Sequence, residues 1–200
     1  MTAAPRVPPA RCDAGRRGSI LREAHALGVP ADYARSRGLR AVREPRDLAF
    51  IGEDIHGRPQ WLASRAARAF VRMRGEAGTD RVELQVVSAF RSAEYQLGIL
   101  ERKLARGQPI DAILSVSAAP GFSEHHSGRA LDLTTPGYRA LEEEFERSPA
   151  FAWLRARAGG CGFVMSYPRG NPDRIAYEPW HWCWHAAAAP APRVPRRTQA

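Results

Sequence analysis

Lysine is almost missing from this 200-residue chain: of 30 basic residues only Lys103 is lysine and the other 29 are arginine. Cysteine is nearly as scarce. Cys12, Cys161 and Cys183 show no CxxC spacing and are odd in number, which excludes a disulfide framework and a structural zinc knuckle. Burial as small apolar side chains is their expected fate, with a bridge between Cys161 and Cys183 as the alternative. Long apolar runs are lacking too. The longest near either end is the short segment 186–192, well under the roughly 18 residues of a membrane-spanning helix. The first 30 residues carry Arg6, Arg11, Arg16 and Arg17 but no apolar core of the roughly 7 to 15 residues that a secretory signal needs, so no such signal is visible.

The 30 basic and 21 acidic residues give a net charge of +9, and its distribution is uneven. Residues 1–47 hold ten Arg against five acids, 186–200 hold three Arg and no acid, and the middle, 48–185, carries 17 basic against 16 acidic residues. A nucleic-acid-binding domain concentrates basic residues on a folded face, interleaved with aromatics. Here they gather at the ends, so no specific nucleic-acid partner is expected. Residues 1–18 combine Pro, Gly and Arg with few large apolar side chains and read as a mobile basic arm. Residues 186–200 have the same character and read as a disordered basic tail, leaving one folded domain over 19–185.

Within that domain Leu62, Ala66, Phe70 and Met73 recur at helical spacing, predicting a helix over 61–73. The stretch 82–90 is rich in β-formers and predicts a strand. Ser92 is an N-cap for a helix to about Ala105, with Gly107 as its stop. Residues 130–133, 162–166 and 180–184 are further strand candidates. Thr135 before Pro136 and Ser148 before Pro149 each predict a helix start. Helices and short strands do not alternate as parallel-sheet units, so the class expected is α+β, a small antiparallel sheet flanked by helices.

Two clusters carry chemistry. The first is Ser123-Glu124-His125-His126-Ser127-Gly128-Arg129-Ala130-Leu131-Asp132, and the second is Glu178-Pro179-Trp180-His181. Catalytic zinc takes three N or O ligands and leaves room for water, while a nearby carboxylate serves as general base. Two histidines, an aspartate and a free glutamate supply that set. Pro179 disfavours a regular helix through Glu178 and His181, so this is not the helical HExxH arrangement. Spacing alone does not choose between His125 and His126, nor between His181 and His185. His25 and His56 lack any partner motif and read as structural. Trp180, Trp182 and Trp184 alternate as a strand would, giving either a packed aromatic face or a cleft wall. The acidic run Glu142, Glu143, Glu144 and Glu146 reads as a solvated face.

SEHHSGRALD and EPWHW closely resemble the two motifs of the VanY-type zinc D-alanyl-D-alanine carboxypeptidases, Ser-x-His-x-x-Gly-x-Ala-x-Asp and Glu-x-x-His. The segment Ser88-Ala89-Phe90-Arg91-Ser92 with Gln96, and the stretch Ser166-Tyr167-Pro168-Arg169, are similar to family segments as well, so the resemblance spans roughly 48–184. It implies the α+β fold shared with hedgehog-like zinc peptidases and one Zn2+ per chain held by His125, Asp132 and His181. It also implies Glu178 as catalytic base and Arg91 as a catalytic or substrate contact, with Gln96 and Ser123 as further substrate-binding residues. The implied substrate is a peptidoglycan stem peptide or muropeptide losing its terminal D-alanine, and a monomer is expected. On this scaffold the alternatives are an L,D-carboxypeptidase, a D,D-dipeptidase, or a non-catalytic zinc-bearing module that binds cell-wall peptide. Such a substrate implies the periplasm or cell envelope, with the cytoplasm as the alternative where no export signal is visible. Many relatives carry Arg two residues after the second zinc histidine; this chain has Cys183.

Overall fold

The computed structural model describes residues 7–172 and 175–186. Its first element is α1 (Ala14–Ala26), capped by the Asp13 carboxylate, which accepts from the Arg16 N–H at 2.7 Å. This helix begins inside the stretch 1–18 read from composition as a mobile arm, and Cys12 before it is buried. Polar anchoring adds here to the apolar packing of Cys12 with Ile20 and Ala24. Glu44 is buried, accepting at 2.8 Å from the Cys12 N–H with one carboxylate oxygen and from the Ala93 N–H with the other. The remainder of that arm, 1–6, and the tail expected over 186–200, apart from Ala186, lie outside the described residues.

After a single turn, α2 (Tyr33–Ser36), the chain forms a hairpin, β1 (Leu48–Glu53) with β2 (Pro59–Ala63). Trp61 and Leu62 belong to β2, pairing with Phe50 and Ala49, so α3 (Ser64–Thr79) starts three residues later than its apolar spacing suggests. Leu62 is buried in either conformation, and the strand pairing decides. Then β3 (Gln85–Ser88) is shorter than the β-rich stretch around it. It leads into α4 (Ala93–Ala105), where Ser92 Oγ accepts from the Tyr95 N–H at 3.1 Å as the sequence predicts. A short α5 (Ile110–Ser115), β4 (Ala130–Thr134), α6 (Pro149–Arg157), β5 (Phe163–Met165) and β6 (His181–Trp184) complete the order. No helix starts at Thr135-Pro136. The Tyr138 N–H closes a turn onto the Thr135 carbonyl, and Gly137 takes φ 86°, which a helix cannot continue.

The four-stranded sheet is antiparallel in the order β3-β4-β6-β5, with β4 buried along its whole length. α3 and α6 supply Phe70, Met73, Trp153 and Leu154 to the core around this sheet. A second cluster joins Ile20 and Ala24 of α1 to Leu97 and Leu100 of α4 and Ile113 and Leu114 of α5. The architecture is the α+β arrangement expected. All three cysteines are buried and free, so no bridge links Cys161 and Cys183. No described helix is long and apolar enough to cross a membrane.

Candidate active site and metal centre

β4 and β6 pair so that Asp132 lies directly opposite His181, while Ser88 of β3 faces Asp132 from the other side across a bulge. The turn before β6 is closed by the His181 N–H donating to the Glu178 carbonyl at 3.1 Å, which sets the two side chains on the same side. Pro179 is fully buried there. His125 enters from a 3-10 turn, Glu124–Ser127, that ends at Gly128 with φ 63°. A Cβ on Gly128 would meet the Ala63 nitrogen at 2.9 Å and Pro45 at 3.0 Å, so glycine is needed for both its conformation and its size.

These placements gather His125, Asp132 and His181, all buried, with one donor atom of each within 4.8 Å of the others. Asp132 Oδ2 lies 3.2 Å from His125 Nε2, and Oδ1 lies 2.9 Å from His181 Nδ1. The outward nitrogens are held separately. His125 Nδ1 faces the Ala89 carbonyl at 2.6 Å and must donate to it, which leaves the Nε2 lone pair pointing at the cluster. His181 Nε2 meets Glu124 Oε2 at 2.9 Å, and Ser166 Oγ donates to that same oxygen at 2.6 Å. Two imidazoles with oriented rings and one carboxylate converging at this range form a donor set suited to zinc, and the residues fit such an ion.

Electrostatics support that fit. Burial would raise the Asp132 carboxyl, yet the two histidines outweigh it and hold it well below the usual carboxylate range. Burial opposes charge on His181, but hydrogen bonds to Asp132 and Glu124 push it up to about 10. Both ring nitrogens therefore face anions, and positive charge is favoured at this position. Glu178, 3.8 Å from His181 Nδ1 through Oε2, is pushed up to about 7 by burial, with the Asp132 and Glu124 charges adding to the effect and His181 and Arg91 opposing it. A carboxylate poised there suits proton transfer near neutrality.

His126 is fully buried and lies outside the cluster of potential ligands. Its Nε2 accepts from the Gly121 N–H at 3.0 Å, so Nδ1 donates to the Arg91 carbonyl at 2.7 Å, and burial pushes its pKa down to about 4. A neutral His126 thus fixes the backbone of Arg91. His185 is exposed beyond β6 and belongs to no described cluster of potential metal ligands.

The cluster opens into a cleft of about 440 Å³ lined by Arg91 and Ser123 together with Glu178, Trp180 and the two histidines. Gln96 does not reach this wall. It is buried, and its amide donates to Ser117 Oγ at 2.9 Å and the Ala118 carbonyl at 3.0 Å, holding from behind a loop that lines the cleft. In this arrangement Gln96 supports the wall, with its Oε1 buried and without a hydrogen-bond partner. Trp180 lines the cleft, whereas Trp182 is packed in the core and Trp184 against it. The acidic run forms no cluster of potential metal ligands among the described residues; Glu143 and Glu146 pair with Arg169. Sequence reasoning missed Glu124 as the partner of His181, although its position beside a candidate ligand offered a signal. The tie from Ser166 to Glu124 had none.

A family model described as VanY, D-alanyl-D-alanine carboxypeptidase, matches residues 59–187. The chain belongs to this family. YodJ of Bacillus subtilis (strain 168) is 32% identical over 148 residues, covering 69% of this chain and 53% of its own. Among solved structures, the LdcB LD-carboxypeptidase superposes with a TM-score of 0.63 at 28% identity, covering 70% of this VanY-family chain and 69% of its own. A zinc-bound VanY D,D-pentapeptidase from a VanB-type resistance cassette gives 0.54 at 25% identity, covering 72% and 83%. This VanY-family chain spans about half the length of the curated relatives it matches first.

Proposed function

We propose that the protein is a zinc-dependent carboxypeptidase of the bacterial cell envelope that removes the terminal D-alanine from peptidoglycan stem peptides ending in D-Ala-D-Ala. The observation that carries this reading is the convergence of His125, Asp132 and His181 beside Glu178 at the floor of an open cleft. One bound zinc ion would supply Lewis acidity toward the scissile carbonyl and a more acidic water. The chain's own residues do the rest. Glu178 Oε2 takes a proton from the attacking water and returns it to the leaving amine. Arg91, whose buried Nε has no hydrogen-bond partner, supplies positive charge to a carboxylate or a developing oxyanion. Ser123 forms part of the wall against which the peptide lies.

The LdcB likeness favours a second reading, release of D-alanine from a tetrapeptide by cleavage of an L,D bond. The test is D-alanine release from pentapeptide, tetrapeptide and D-Ala-D-Ala dipeptide, by wild type and Glu178→Ala, with metal content determined for both. The D,D reading expects the pentapeptide to be preferred and Glu178→Ala to keep its zinc while losing at least about 1,000-fold in rate. Preference for the tetrapeptide selects the L,D reading. Zinc binding with no cleavage of any of the three leaves a peptide-binding module, and wild type that binds no zinc overturns the site.

A further inference from the structure

The cleft contains a second cation that the proposed mechanism does not use. Lys103, the single lysine of the chain, lines the same wall as Arg91, His125, Asp132 and His181. It sits one helical turn after Ile99, which lines the cleft too, so this face of α4 forms one side of it. Side chains on a helix lean toward its N-terminus, and from Lys103 that is the direction of Arg91, which stands just before the Ser92 cap.

Neither cation is neutralised. Among the described residues no carboxylate pairs with Lys103 or with the Arg91 guanidinium, although both line the cleft. Burial and the charge of Arg91 both hold the Lys103 ammonium below its ordinary pKa. Like charges brought together in a half-buried cleft are unfavourable until an anion joins them. Arg91 also acts electrostatically on His125 and Glu178, so its charge bridges the hydrolytic cluster and the lysine.

We propose that Lys103 and Arg91 together hold the C-terminal carboxylate of the peptide, with Lys103 as the residue that makes the site demand a free carboxylate. This deepens the carboxypeptidase reading and rests on it. The two cations divide the work by shape: the flat fork of arginine can face two oxygens, and the compact ammonium adds a point charge at the end of the cleft. A peptide continuing past the cleaved residue, or ending in an amide, would offer these cations no charge.

The experiment compares the pentapeptide ending in D-Ala-D-Ala as the free acid and as the C-terminal amide, using zinc-loaded wild type, Lys103→Gln and Lys103→Arg. Lys103→Gln is expected to lower kcat/KM on the acid by about 10- to 100-fold, mostly through KM, and to leave the amide within about twofold. Lys103→Arg should recover most of the loss. Zinc content and Tm should match wild type, separating the effect from misfolding. Binding of both peptides is measured by calorimetry in the Glu178→Gln background, with and without Lys103→Gln. The acid should lose affinity and the amide should not. An equal loss on acid and amide, or no loss on either, overturns the proposal. If wild type cleaves neither peptide, the carboxypeptidase reading fails while the binding comparison still decides the role of Lys103.

Discussion

Glu124 shows how a residue can act on a candidate metal site without belonging to it. Its Oε2 lies 2.9 Å from His181 Nε2 and is fixed from behind by Ser166 Oγ. Burial opposes its charge, but the hydrogen bond and charge of His181 hold its carboxyl below the usual range, so it is an anion at neutral pH. An anion on the far nitrogen orients the ring and makes Nδ1 a stronger donor. Cys183 is buried, and its thiol is pushed well above its ordinary value by burial and by Glu124. This thiol is neutral, leaving the Glu124 charge directed at His181. Glu124→Gln keeps the shape and removes the charge, so its zinc affinity should fall by about 10- to 100-fold in a competitive chelator titration, and the Tm of the metal-free protein at neutral pH should fall as well, because the pair with His181 is lost there. Unchanged affinity would show that Glu124 does not tune the ligand.

At the scale of elements, the hairpin β1–β2 reaches the site through a chain of hydrogen bonds. Asp54 accepts from the His56 and Arg58 N–H groups, from Arg58 Nε at 2.7 Å and from Gln60 Nε2 at 2.9 Å. Gln60 Oε1 in turn accepts from the Ala89 N–H at 3.0 Å, and the Ala89 carbonyl holds His125. Burial would raise the Asp54 carboxyl, but these donors outweigh it and hold it below its ordinary value. An aspartate lowered in the folded state stabilises fully above its unfolded pKa, roughly 3.9, and loses that contribution as pH falls through the folded pKa. Asp54→Asn should therefore cost about 1 to 3 kcal/mol at pH 7 by urea unfolding, and the gap from wild type should narrow steadily as pH falls below the unfolded value of roughly 3.9. A gap that persists in acid would mean the charge is not the source. Sequence could not show this hairpin, because its contact with 88–90 is tertiary. It did show α4 and α6, whose starts are written locally in Ser92 and Ser148. It failed where a local pattern suited two states, as at Leu62, or where a lone polar residue anchors a segment, as Glu44 does for the chain before α1.

For the molecule as a whole, the site is the place where distant parts of the chain meet. Its candidate ligands come from the turn before β4, from β4 and from β6, so Asp132 and His181 stand 49 positions apart in sequence. The candidate ligands were legible because each sits in a short motif, but Lys103 was not, since only the packing of α4 along the cleft brings it beside Arg91. The two hydrophobic clusters, one around the sheet and one around α1, α4 and α5, are large enough to order the chain without a metal. That distinguishes it from a zinc finger, which has no core of its own. Chelator-treated protein should therefore remain folded, with a cooperative unfolding transition. Zinc binding to the native state adds RT ln(1 + [Zn]/Kd), about 4 kcal/mol at a thousandfold excess over Kd, so Tm should climb with each rise in free zinc. Hydrogen exchange should slow most in β4 and β6, which the metal would join, and least in α1. Loss of the unfolding transition on chelation would instead make the metal part of the core, and a Tm indifferent to zinc would mean that the three ligands do not bind it.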